Sequence, residues 1–474
     1  MNSKKMILAN IGSGSSYLPD IANMLIERKD TMPVSEWRLM DIDDYRLNCT
    51  GRYVEKMLQD AGVETRVILT KSLKEAITDC DFVICTIRPG KSAGRNLDET
   101  LPFKHNLIGQ ETTAPGGMVM GFKTIPAVLE IAKAIEMYAK PNCYLVNLAN
   151  PSGMVSEALS RHSKVKFAGL CNGPTVIRDA MDAVFQVENP NDVFVEVIGL
   201  NHLIWCKVFY KGEDVTDDAF LRLLDWSEVN LPALRREFVE PDLQKFVGYI
   251  PMGPYLEFYY DYPNSFADLQ KYSNNHWERM INHVREKVGD VIDNITMPEN
   301  ATRAEVVSVI EKRTFELYEK LDPRGFQLAA NTRGGHGYGK AGITLMNALW
   351  NNTNEIFSPD VVSMGTIQGL DPECVCTTTS LVNSAGIHPI AFPKLPGHMM
   401  AKILSAKEYE KLAVEAAVTG SYHAALEALV ANPLISSYYN AKAALDELLI
   451  AQKDFLPQFA NAIAELEAGK TPSN

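Results

Sequence analysis

The chain has 474 residues, a net charge of −13 and an isoelectric point near 5.3, with 46% hydrophobic and 22% charged residues. That length exceeds one ordinary hydrophobic core, so two domains or one composite domain are expected. No Lys/Arg block offers an electrostatic footprint for nucleic acid, and no window approaches the roughly 20 apolar residues of a membrane span.

Residues 5–11 read as a strand. This apolar run is shorter than a signal-peptide core and is cut off by Gly12-Ser13-Gly14, so the cytoplasm is the expected compartment. A helix over 21–27 follows, then strands over 37–43, 65–69, 81–87, 143–148 and 165–170. Strands alternating with helices imply an α/β fold, a Rossmann-like doubly wound parallel sheet over residues 1–200. Residues 201–474 are expected to form a packed α+β domain for substrate, metal and oligomerisation. Its elements are a long strand over 193–207, an aromatic-rich segment over 255–262, helices over 277–292 and 303–321, a glycine-rich loop over 333–339 and a helical tail over 406–466. A site between the halves is expected. The eight cysteines include no pair with a two-residue gap, so they read as reduced and structural; Cys374 and Cys376 would share a strand face.

Gly12-Ser13-Gly14-Ser15, between a strand and a helix, has the pattern of a dinucleotide turn. Its backbone N–H groups and the helix N-terminus would receive a pyrophosphate. The third glycine position of that pattern holds Tyr17. Asp41 or Asp43, closing the second strand, would accept hydrogen bonds from an adenosine ribose, which favours NAD over NADP. An ordinary Gly/Ser turn with a serine cap is the competing reading. Arg88-Pro89-Gly90, Arg95, Glu111 in the loop 109–117, and Asn150-Pro151-Ser152-Gly153 follow successive strands. Ligands of such sheets sit beyond the carboxyl ends of the strands. Singly each is a surface turn; together they point to a shared cleft, with Arg88 on the cofactor side. Two further apolar runs end at Cys171-Asn172 and at Asn201-His202. A thiolate and an imidazole suit a borderline divalent metal, and two ligands leave positions open for water or substrate. On residue type alone, a buried cysteine and a core histidine are the plainer reading.

These segments, with Tyr255-Leu256, Arg333-Gly334-Gly335 and residues 412–420, resemble glycoside hydrolase family 4 over about residues 4–450. The family stands outside the two-carboxylate scheme of most glycosidases. The resemblance implies that NAD+ oxidises the C3 hydroxyl of the glycone, which acidifies C2–H. A base removes that proton, the C1 substituent is eliminated, water adds, and hydride returns to C3. It implies that Cys171 and His202 hold a divalent metal, usually Mn2+, at the C2 and C3 oxygens. Tyr255 matches the base position; a phenol with an ordinary pKa near 10 needs the metal to act at neutral pH. Arg95, Asn150 and Asn172 match substrate contacts, and Glu111 belongs to the site. Asn172 stands where phospho-α-glucosidases carry Asp, so it resembles the 6-phospho-β-glucosidases. Departures are Gly173-Pro174 in place of Val-Pro, and Arg279 set one place late on its helix, a turn of about 100°. The partners implied are a small-molecule glycoside and further copies of the chain, as homodimer or homotetramer. The leading expectation is a 6-phospho-β-glucosidase, with an α-linked or non-phosphorylated glycoside as alternative. Two other classes compete: an NAD-dependent 2-hydroxyacid dehydrogenase, which would accumulate NADH, and a non-catalytic NAD-binding sensor, which would ignore metal.

Overall fold

The computed structural model describes residues 5–189, 192–230, 238–252, 255–274, 285, 288–293, 295–332 and 337–473. The first half alternates β1 (Met6–Ile11), α1 (Leu18–Glu27), β2 (Val34–Met40), α2 (Asp44–Asp60), β3 (Arg66–Thr70), α3 (Leu73–Ile77), β4 (Phe82–Cys85), α4 (Lys91–Lys104), α5 (Ala114–Tyr138), β5 (Tyr144–Asn147), α6 (Ser152–His162), β6 (Lys166–Gly169) and α7 (Gly173–Val184). The six strands are parallel in the order β3-β2-β1-β4-β5-β6, the doubly wound Rossmann order. Side chains alternate between two cores. Met6, Leu8, Phe82 and Ile84 enter one, while Ala9, Ile11, Val83 and Cys85 enter the other. A sheet buried on both faces reads as unbroken apolar runs, which is why these strands stood out in the sequence. The second strand spans 34–40 rather than 37–43, because Asp41-Ile42-Asp43 turns out of the sheet and leaves Ile42 exposed.

The run 193–207 is not one strand. β7 (Val193–Leu200) and β8 (Leu203–Tyr210) form an antiparallel hairpin that reverses at Asn201-His202. Its apolar pattern stays continuous because both arms feed the same two cores. Val195, Val197, Ile204 and Cys206 face one, and Ile198, Leu200, Leu203 and Trp205 the other. Beyond it lie β9 (Glu213–Asp214), β10 (Ile250–Met252), β11 (Glu355–Phe357), β12 (Asp360–Val362), β13 (Val375–Thr378), β14 (Ser380–Asn383) and β15 (Gly386–Pro389). Through β12 and β13 the parallel sheet continues, antiparallel, into β7, β8 and β10, with β9 on β8, giving twelve strands in one sheet among the described residues. β11, β14 and β15 form a separate three-stranded sheet.

The helix Arg303–Glu319 starts on a capping box between Thr302 and Glu305. The tail folds as helices Gly397–Thr419, Tyr422–Ala431, Tyr438–Ala451 and Ala460–Glu467, and packs on α5 through one Rossmann core. The segment 109–117 is buried, and its last residues open α5. Most of 277–292, with Arg279, and residues 333–336 lie outside the described residues. All eight cysteines are free, and only Cys171 is not fully buried. Among the described residues no helix is long and apolar enough to cross a membrane.

Candidate active site

A cleft of about 940 Å³ runs along the carboxyl ends of the parallel strands. Every site residue expected from the sequence, from Gly12, Gly14 and Ser15 to Tyr255, lines it. At one end the chain leaves β1 with Gly12 at φ +92°. A Cβ there would sit 2.7 Å from the Ile87 backbone nitrogen, so only glycine fits. The Gly14 N–H donates to Asp41 Oδ2 at 2.7 Å, and the Asp43 N–H donates to Asp41 Oδ1 at 2.9 Å. Asp43 caps α2, accepting from the Arg46 N–H at 3.1 Å and from Lys91 Nζ at 2.9 Å. Both carboxylates are thus anchored from behind, yet each oxygen keeps a second lone pair. Arg46 clasps the turn, its Nε donating to the Gly14 carbonyl at 2.8 Å and its Nη1 to Glu311 Oε2 at 3.1 Å. The glycine turn delivers the chain to the N-terminus of α1, which fits a dinucleotide pyrophosphate.

The middle of the cleft brings Cys171 and His202 together from segments far apart in sequence. Cys171 Sγ lies 3.7 Å from His202 Nε2. The other ring nitrogen, Nδ1, is 2.6 Å from Thr112 Oγ1. That hydroxyl gives its only proton to Gln110 Oε1 at 2.7 Å, and Gln110 Oε1 also accepts the backbone N–H groups of Thr112 and Thr113. An oxygen with its proton spent can only accept, so Nδ1 carries the ring proton and the Nε2 lone pair faces the sulfur. An outer hydrogen bond that fixes the tautomer is the usual support of a metal-binding histidine. Burial pulls the imidazole down to about 4, leaving it neutral at pH 7, and pushes the Cys171 thiol up to about 11. The thiol therefore ionises at neutral pH only against a cation. Among the described residues no group of three or more His, Cys, Asp or Glu could hold a metal. The donor set fits a two-ligand ion with open positions. The Tyr255 ring stacks on His202, centroids 4.4 Å apart at 24°, and packs edge-on to Phe258 at 5.7 Å.

The third part is a knot of charge. Glu111 binds Arg88 Nη1 at 2.6 Å, Arg95 Nη2 at 3.1 Å and Arg303 Nη1 at 3.5 Å. Glu99 takes Arg95 Nε at 2.8 Å and Arg303 at 3.2 Å. Burial alone would raise Glu111, but the three guanidinium groups hold it well below the usual carboxylate range. Arg88 therefore also serves the Glu111 knot, and Arg95, 6% exposed, is committed to two carboxylates. Two carboxylates thus gather three guanidinium groups beside the cleft. Asn150, whose bond to Pro151 is cis, and Asn172 both line the cleft. Sequence reasoning missed Arg46, Thr112, Arg303 and Glu311. Thr112 lies within the loop 109–117; the others sit on ordinary-looking helices, and only tertiary packing brings them in.

Residues 7–187 match the model for family 4 glycosyl hydrolases, and residues 197–435 match that for the C-terminal domain of the same family. The chain belongs to glycosyl hydrolase family 4. One family relative, a probable 6-phospho-beta-glucosidase of Bacillus subtilis, is 35% identical over 97% of this chain and 99% of its own length. The family 4 6-phospho-beta-glucosidase of Thermotoga maritima, solved with manganese, NAD+ and glucose-6-phosphate, is 29% identical with a TM-score of 0.79, covering 95% of this chain and 99% of that one. A 6-phospho-alpha-glucosidase from gut microorganisms, solved with NAD and glucose-6-phosphate, is 26% identical with a TM-score of 0.81, covering 96% and 100%. Family membership thus embraces both anomeric classes.

Proposed function

We propose that this family 4 enzyme hydrolyses 6-phospho-β-glucosides by oxidation at C3, deprotonation at C2, elimination at C1, addition of water and return of the hydride. The observation that carries the reading is the His202 Nε2 lone pair facing Cys171 Sγ in the same cleft as the Gly12–Gly14 cradle. When bound, NAD+ supplies a hydride acceptor at C3, and a divalent metal, on the analogy of its relatives Mn2+, supplies a Lewis acid at the C2 and C3 oxygens. The loop from Gly12 to Ser15, with Asp41, Asp43 and Arg88, holds the dinucleotide. Cys171 and His202 hold the metal. Tyr255, pressed against the His202 ring, accepts the C2 proton on its phenolate oxygen. Asn150, Asn172 and Arg95 orient the glycone, and Glu111 keeps the arginine knot in register. Guanidinium groups gathered beside the cleft suit a phosphorylated sugar. Asn172 favours the β-linkage, since an amide cannot protonate a leaving oxygen as a carboxylic acid would. We further read residues 1–200 as the cofactor domain and 201–474 as the domain for substrate, metal and oligomerisation, in a cytoplasmic homodimer or homotetramer.

The test is a panel of α- and β-nitrophenyl glycosides with and without 6-phosphate, assayed with NAD+, Mn2+ and a reductant. Turnover confined to the 6-phospho-β member supports the reading; turnover of an α or unphosphorylated member reassigns the substrate. Net NADH accumulation would mark a dehydrogenase and overturn it.

A further inference from the structure

Behind the cleft lies a carboxylate that the proposed chemistry does not use. Asp360, 1% exposed, opens β12 at the seam of the sheet. Its backbone pairs with Gly169 of β6 on one side and Thr377 of β13 on the other, and Thr377 pairs with Gly199 of β7. One row of the sheet therefore runs Gly169, Asp360, Thr377, Gly199. Cys171 lies two residues beyond its first member and His202 three beyond its last. The Asp360 side chain gathers three donors. Oδ2 accepts from Ser152 Oγ at 2.6 Å and from Asn201 Nδ2 at 3.2 Å, and Oδ1 accepts from Thr377 Oγ1 at 2.5 Å. Ser152 follows the Asn150-Pro151 segment, and Asn201 is joined to His202.

We infer that Asp360 is a positioning residue, which ties the turn carrying His202 to the loop carrying Asn150 and so sets the metal site and the sugar site in one register. The inference rests on the metal reading above. Three features support it. Among the described residues no cation forms an ion pair with Asp360; Lys407, whose charge acts on it, is bound to Glu157 and Glu410. A buried carboxylate without such a partner is costly, and an amide of the same shape would be cheaper on stability grounds alone. An amide, however, could take the Ser152 and Asn201 donors on its oxygen only by turning its NH2 on the Thr377 hydroxyl, which donates here. Space for the knot is provided by Gly169, where a Cβ would lie 2.8 Å from Ser152 Oγ and 2.9 Å from Asp360 Cβ. His202 has φ +64°, a left-handed conformation uncommon for a residue with a side chain, so the turn needs outside support. Asn201 supplies it from behind, as Thr112 does from the ring side.

The test is direct Mn2+ binding, read from the electron paramagnetic resonance of free ion, with glucose 6-phosphate affinity measured separately by calorimetry at saturating Mn2+ and NAD+. Asp360→Asn should weaken both by about 10–100-fold, the usual cost of losing an outer partner of a ligand. The single-tie variants should divide the effects, and they carry the test if Asp360→Asn does not fold. Asn201→Ala should weaken Mn2+ about tenfold or more with sugar phosphate affinity within about twofold of wild type. Ser152→Ala should do the reverse. A merely structural knot would lower thermal midpoint and both affinities together in every variant, which would overturn the inference. So would unchanged Mn2+ binding in Asn201→Ala while His202→Ala loses it, and there the metal reading survives. If His202→Ala itself binds Mn2+ like wild type, the metal reading falls, and this inference with it.

Discussion

Gly12→Ala tests the cofactor cradle most directly. The added methyl would stand 2.7 Å from the Ile87 nitrogen and 2.8 Å from the Thr86 carbonyl carbon. Both are backbone atoms of the segment leaving β4, so neither can swing aside as a side chain would. Alanine must also adopt φ +92°. The dihedral costs about 1–2 kcal/mol and the overpacking about 1–3 kcal/mol, so the variant should lose about 2–5 kcal/mol. Unfolding entropy near 2 cal/mol/K per residue makes about 1 kcal/mol worth about 1 °C in a chain this long, so the midpoint should fall by about 2–5 °C. Gly62→Ala is the control: its φ is +67°, but nothing lies within 4 Å of the new methyl, so it should cost only the dihedral share, about 1–2 °C. The second readout is NAD+ affinity by titration calorimetry. A shifted loop moves the N-terminus of α1 away from the charged pyrophosphate, and one hydrogen bond lost to a charged group is worth about 1.5 kcal/mol or a little over tenfold. Gly62→Ala should leave NAD+ binding untouched. Equal midpoints for the two variants, with wild-type NAD+ affinity in Gly12→Ala, would refute the cradle.

Three further outcomes are expected. Cys171→Ser should weaken Mn2+ by more than about 100-fold, beyond the cost of losing an outer partner; wild-type activity in strong chelator would remove the metal from the mechanism. His202 should stay neutral on lowering the pH until about 4, because burial opposes the charged ring. With a folded value below the unfolded one, its contribution to stability is present above about pH 6.5 and lost as pH falls through about 4. Imidazole-labelled NMR reads this, and a midpoint above 6 contradicts the buried, Nδ1-protonated ring. Tyr255→Phe should lower turnover by about 10²–10⁴-fold with NAD+ and Mn2+ affinities retained. Wild-type product formed in D2O should carry deuterium at C2; product without it would exclude proton removal there.

The parallel half was legible because a sheet buried on both faces leaves unbroken apolar strands and places its polar motifs at their carboxyl ends. Gly12-Ser13-Gly14, Asn150 and Cys171 all announced themselves that way. The hairpin β7–β8 was read as one strand because both arms bury the same two faces, so hydropathy carries no mark at Asn201-His202; a φ of +64° at a histidine leaves no signal in composition. Arg303 and Glu311 were read only as part of a helix, since what brings them to the cleft is the docking of Arg303–Glu319 on α2 and α4. Asp360 was invisible for a like reason. A single acid before a short strand looks solvated until the seam buries it.

That seam explains why the metal ligands can meet at all. β6 and β7 are separated by β12 and β13, three strand spacings, or roughly 14 Å between Gly169 and Gly199 at about 4.8 Å each. Neither ligand is on a strand. Cys171 and His202 reach toward each other from the two strand ends, over the tops of β12 and β13, to close the gap to 3.7 Å. The distance between sulfur and nitrogen is therefore fixed by two short strands that supply no ligand. A Rossmann half alone would contain Cys171, Asn150 and the cofactor cradle but no second ligand. The hairpin half alone would contain His202 and Tyr255 with nothing to face. Joining a parallel sheet to an antiparallel one across β12 is thus the structural step that assembles the proposed metal site, and substitutions along the row from Gly169 to Gly199 should disturb metal binding before they disturb NAD+ binding.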